Sequence, residues 1–281
     1  MLNSMAGKEF LEALDRFAEW GLEVVDLKDH IFHKTIGELT EAEADAAADA
    51  LRQRKLGVYC FSTGLFHDEI EKGEAYFRTH HLDRVAGIVK CAERLRPTMI
   101  RLLAARYSPE DDSDSMNFIR RKAPWLIPLY REAIDIIHAA GFQATIENES
   151  HNCIFSEPGE IIGFFDELDR SGKVHFTYDV QNLWQMGTFP SMRVYEALRP
   201  LIGFLHLKGG QHGADGTALE WKSALEDASW PVADIVKQAV RDGVSPVICL
   251  NPSHGKVKDG YNYDRMPQRD LDFAKSIIGG A

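Results

Sequence analysis

Apolar positions along the chain fall into two alternating rhythms. Phe10, Leu11, Leu14, Phe17 and Ala18 recur at helical spacing and predict a helix over 7–20. A short apolar run over 22–27 then ends in Asp26-Leu27-Lys28-Asp29 and reads as a strand. Thr40, with Glu43 three residues on, is a capping-box signature and predicts an Ala-rich helix from there to about 54. The run 56–61 follows as a second strand, closed by Ser62-Thr63-Gly64. The same alternation continues to the end. Helices are predicted over 82–95, 116–139, 158–168, 190–198, 231–240 and 271–278, and strands over 98–103, 142–146, 174–178, 201–205 and 247–250.

Short, mostly apolar strands separated by longer helices indicate strands buried on both faces, and hence a parallel sheet. Seven strands are counted, and a closed barrel of this kind has eight. The missing one belongs ahead of the first helix, where only residues 1–6 are available. The expectation is therefore one α/β domain over 1–281, a (β/α)8 barrel whose first strand is short or missing. An incomplete edge needs covering, which makes a homo-oligomer the expected state. A doubly wound open sheet is the alternative, but no G-x-G-x-x-G follows an early strand.

Composition narrows the class. Hydrophobic residues make up 44% of the 281 and charged ones 27%, as in an ordinary globular domain. No apolar run reaches the roughly 18 to 20 residues of a membrane span, and no secretory leader is evident, so a cytoplasmic location is expected. A net charge of −11 argues against nucleic acid as a partner. Cys60, Cys91, Cys153 and Cys249 are far apart, and Cys60 and Cys249 lie in apolar runs as small buried hydrophobes.

Ligands of a β/α barrel bind where strands end. Four consecutive strand ends carry chemistry: Thr145-Ile146-Glu147-Asn148-Glu149, Tyr178-Asp179-Val180-Gln181-Asn182, His206-Leu207-Lys208 and Leu250-Asn251-Pro252-Ser253-His254. Two carboxylates and an imidazole suit a divalent ion, and these residue types do not choose among Mn²⁺, Mg²⁺, Co²⁺ and Zn²⁺. The bland alternative is that Glu147 and Asp179 pair with Lys208 or an arginine, and that His206 is a satisfied core histidine.

These words, together with Gly21-Leu22-Glu23-Val24-Val25-Asp26-Leu27, Phe204-Leu205-His206-Leu207-Lys208 and the strand Val247-Ile248-Cys249-Leu250 before Asn251, give the chain its resemblance. It resembles the xylose isomerase-like TIM-barrel family, which includes sugar phosphate isomerases and epimerases, ketose 3-epimerases, a dehydratase and the type IV AP endonucleases. The resemblance implies one bound divalent ion, Mn²⁺ in the first instance, with Glu147, Asp179 and His206 as ligands. The family's fourth ligand, a glutamate, falls on Asn251, and Glu149 stands where many members have histidine. An asparagine offers a carbonyl oxygen but no charge and no base. The family's scheme of two metal-bound glutamates, one on each substrate face, is therefore not expected here. One-base chemistry through an enediolate, or an elimination, remains.

The expected activity is that of a metal-dependent isomerase or epimerase of a sugar, keto-sugar or polyol derivative. A lyase or dehydratase, a non-catalytic barrel with a degenerate metal site, and an oxygen-using or hydrolytic metalloenzyme are the alternatives. Glu147 or Glu149 would take the proton, His206, His212 or His254 would act at oxygen, and Lys208 would aid an oxyanion or form a salt bridge. Trp184 and Met186 are candidates for an apolar wall, residues 209–213 and 255–266 for flanking loops, and Arg101, Arg106 and Tyr107 for weaker anion contacts.

Overall fold

The computed structural model describes residues 1–108, 114–214 and 216–280. Seven parallel strands run side by side in one sheet: β1 (Val24–Leu27), β2 (Gly57–Ser62), β3 (Met99–Leu103), β4 (Gln143–Glu147), β5 (Val174–Asp179), β6 (Ile202–Leu207) and β9 (Ile248–Leu250). A two-stranded antiparallel hairpin, β7 (Gln211–His212) and β8 (Leu219–Trp221), is inserted between the last two. The seam between β9 and β1 is bridged within the chain. Leu2 N donates to Leu250 O and Asp26 N donates to Met1 O, and Leu2 makes a parallel bridge with Asp26. Two residues thus stand in place of a first strand.

The predicted strands are all present, each within two residues of its expected ends. The Thr40 capping box forms as read, with Glu43 N bonded to Thr40 Oγ1 and Thr40 N to Glu43 Oε2 ahead of the helix Glu41–Gln53. The long helix expected over 116–139 is two, Ser115–Lys122 and Leu126–Ala139. Pro124 explains the break: it has no N–H to donate, and it drives Ala123 out of helical geometry to φ −137°. Helices Glu74–His80 and Val180–Gln185 were not anticipated. Among the described residues no helix is long and apolar enough to cross a membrane.

The helices pack their apolar faces on the outside of the sheet and enclose the main core. A small separate cluster of Tyr59, Cys60, Met99, Phe204 and Cys249 is buried apart from it. Register then decides what meets. Asp179, His206 and Cys249 are lateral partners on β5, β6 and β9, and Glu147 partners Thr177, two residues before Asp179. Laterally paired residues share a face and side chains alternate along a strand, so all four point the same way.

Candidate active site and metal centre

Glu147, the last residue of β4, is buried among charges. Arg101 Nη1 donates to its Oε2 at 2.5 Å, while Oε1 lies 3.0 Å from His206 Nδ1. Arg101 is held in turn by the carbonyls of Ser62 and Thr63, each 3.0 Å from Nη2. Asp179, at the end of β5, is anchored in the same manner. Its Oδ1 caps the helix Val180–Gln185, accepting from Gln181 N and Asn182 N, and Asn148 clamps its backbone through both amide atoms. Its Oδ2 is ion-paired with Lys208 Nζ at 2.7 Å, and His206 Nδ1 lies 3.9 Å away. Lys208 Nζ also donates to Asn182 Oδ1 at 2.8 Å.

His206 is the centre of the arrangement and has no exposed surface. Asn251 Nδ2 lies 2.9 Å from Nδ1, and Asp26 Oδ2 lies 3.4 Å from Nε2. Asp26 is fixed by Ser62 Oγ, which donates to Oδ1 at 2.5 Å. Burial would lower the His206 pKa, but Glu147 and Asp26 outweigh it and lift the value to about 9. Burial would raise Glu147, yet His206 and Arg101 hold it well below the usual carboxylate range. Burial, with the charge of Glu147, pushes Asp179 upward against the pull of Lys208. Three carboxylates and three cations therefore share one dry space.

The donor set fits one divalent ion. An oxygen of Glu147, an oxygen of Asp179 and a ring nitrogen of His206 lie within 4.8 Å of one another. In each carboxylate one oxygen is held by Arg101 or by the helix N-terminus and the other faces His206 Nδ1, Glu147 Oε1 at 3.0 Å and Asp179 Oδ2 at 3.9 Å, the latter also ion-paired with Lys208. Asp26 behind His206 supplies the outer carboxylate that commonly orients a ligating imidazole.

The remaining sequence candidates are distributed differently. Glu149 and His254 stand at the mouth, where the charges of Lys208 and Glu149 both act on His254. His254 N is fixed by Gln181 Oε1, and Gln181 Nε2 reaches Gly209 O and Ser253 Oγ, so this glutamine ties two loops to the helix Val180–Gln185. His212 is out on the exposed hairpin, its Nδ1 2.8 Å from Gly213 O. Trp184 is buried, with Met186 beside it in a cleft of about 640 Å³ that Leu219, Glu220 and Lys256 also line. Arg106 is occupied by Glu69 and Tyr107 is buried. Arg101 is no peripheral anion contact but the counter-ion of Glu147. Asp26 was missed as a site residue, although it too is a carboxylate near the end of an apolar strand.

No protein-family model matches the sequence, and no curated protein matches it. Solved structures do. A xylose isomerase-like TIM barrel protein from Mycobacterium smegmatis in complex with magnesium superposes with a TM-score of 0.72 at 14% identity, covering 96% of this chain and 88% of that one. D-psicose 3-epimerase from Clostridium cellulolyticum H10, with D-tagatose, gives 0.70 at 11% identity over 99% and 98% of the two chains. A probable 3-DHS dehydratase of petrobactin synthesis from Bacillus anthracis gives 0.65 at 14% over 96% and 92%. Likeness at this identity establishes the fold.

Proposed function

We propose, for a chain with the xylose isomerase-like TIM-barrel fold, that it isomerises or epimerises a sugar, keto-sugar or polyol derivative with one divalent ion. Glu147, Asp179 and His206 would hold the ion, with the amide oxygen of Asn251 as a fourth donor once that amide is turned over. The observation that carries the reading is the paired anchoring of the carboxylates: one oxygen of each is fixed by the protein, and the other faces His206 Nδ1. Mn²⁺ is the first choice on the resemblance alone, since two oxygens, an amide and one nitrogen suit Mn²⁺, Mg²⁺, Co²⁺ and Zn²⁺ alike. When bound, such an ion polarises a carbonyl or hydroxyl oxygen of the substrate.

The chain's own groups then divide the work. Glu147 is a poor base, since Arg101 and His206 hold its pKa down and engage both oxygens. Asn251 has no charge to offer on the other side. Proton removal from the carbon beside the carbonyl falls to Glu149, half-buried at the mouth. His254 is exposed, yet packing around its ring and then Lys208 lower its pKa to about 4, so it is neutral at pH 7 and able to accept a proton from a hydroxyl oxygen. Lys208, fixed by Asp179 and Asn182, supplies positive charge toward an oxyanion.

A second reading, a barrel without turnover, has one observation in its favour. Asp26, Glu147 and Asp179 are already balanced by Arg101, Lys208 and the His206 imidazolium. The test is hydrogen exchange in D2O with Mn²⁺-loaded protein and a panel of ketoses, ketohexoses first. Deuterium entering beside the carbonyl, with a loss of roughly 10²-fold or more in Glu149→Gln, is expected. A parent that binds Mn²⁺ and exchanges nothing would favour the barrel without turnover.

A further inference from the structure

His206 has two ring nitrogens, and the site above uses one. Nε2 is buried and makes no hydrogen bond, although Asp26 Oδ2 is 3.4 Å away. Cys249, its lateral partner on β9, places Sγ 3.6 Å from the same Asp26 oxygen. An oxygen of Asp26, a nitrogen of His206 and the Cys249 sulfur lie within 4.8 Å of one another, all fully buried. We propose that Asp26, His206 and Cys249 form a second metal position, distinct from the Glu147–Asp179 position and selective for a zinc-like ion.

The geometry and the ligand chemistry agree. Bonds of about 2.0–2.3 Å in a tetrahedron separate the ligand atoms by about 3.3–3.8 Å, and the two measured edges fall in that range. A thiolate, an imidazole and a single carboxylate make a softer set than that on the other side of the ring, which favours Zn²⁺ or Co²⁺ over Mn²⁺ or Mg²⁺. On binding, the thiol and the Nε2–H of the His206 imidazolium each give a proton to solvent, and the sulfur and the freed nitrogen bond the metal. His206 keeps one proton, on Nδ1, where Glu147 Oε1 accepts it. A neutral imidazole has one free nitrogen, so each ion occupies one side of the ring at a time.

Asn251 is suited to serve both states. Its Nδ2 lies 2.9 Å from His206 Nδ1, and Cys249 Sγ donates to its Oδ1 at 3.3 Å. Turned over, the same amide no longer sets a donor against Nδ1–H and instead donates to a thiolate, a change open to asparagine and closed to glutamate.

Co²⁺ offered to the metal-free full chain reads the position directly, because a cobalt–thiolate bond gives an intense near-ultraviolet charge-transfer band. The band is expected in the parent and in Asp179→Asn, and absent in Cys249→Ala and Cys249→Ser. Retained Mn²⁺ binding or an unchanged circular dichroism spectrum in the cysteine variants would show that they fold. The band in a protein that takes up no Mn²⁺ would support this position while the proposed isomerase fails. No Co²⁺ uptake, bound Co²⁺ without the band, or a band that survives Cys249→Ala would overturn it.

Discussion

Arg101 is the residue on which the buried charges turn. It sits mid-strand in Met99-Ile100-Arg101-Leu102-Leu103, is 3% exposed, and serves Glu147 and two backbone carbonyls at once. Arg101→Met leaves Glu147 without its nearest cation and orphans those carbonyls. The expected cost is about 3–5 kcal/mol, read as a fall in the urea midpoint, with part recovered in Arg101→Met/Glu147→Gln. A loss below about 1 kcal/mol would show that His206 and Lys208 suffice. The sequence carried a signal here: a lone arginine inside a buried apolar strand requires a partner, and the carboxylate ending the next strand is within reach. Cys249 carried no such signal, because a cysteine in an apolar run has the same pattern whether it packs or binds a metal.

At the scale of elements, the strands were legible because burial on both faces writes them as continuous apolar runs, and register then fixed the site. What escaped notice was too short or too irregular to have a period. The hairpin β7–β8 has strands of two and three residues, and the Met1–Leu2 stub closes the barrel with single backbone bonds. The last helix, Met266–Ile278, began five residues earlier than its apolar spacing suggested, and Asp270 lies in that extension. Asp270 Oδ1 accepts from Leu225 N at 2.8 Å and joins this helix to the segment before the helix Val232–Asp242. Burial raises its pKa to about 6, against about 3.9 in an unfolded chain. The folded state therefore holds the proton more tightly, and stability falls as pH rises from about 4 through 6. Asp270→Asn keeps the acceptor and removes the charge. It is expected to stabilise the protein by on the order of 2 kcal/mol at pH 7.5 and by nothing below about pH 4, by urea unfolding at the two pH values. A gain equal at both would place its origin elsewhere.

The whole molecule brings Glu147, Asp179, His206 and Asn251 from four strands to one point, and that convergence was readable once the strand ends were read together. Its inner half was not. Asp26 and Cys249 come from the two strands flanking the seam, far apart in sequence, and only closure of the barrel puts them beside His206. The proposed role of the anchored carboxylates is to hold one divalent ion. Elemental analysis after equilibrating metal-free protein with Mn²⁺ and removing the excess tests it most directly, run beside Glu147→Gln and Asp179→Asn. About one Mn²⁺ per chain in the parent, lost in both variants, is the predicted result. A parent that holds no Mn²⁺, or variants that hold as much as the parent, would contradict it.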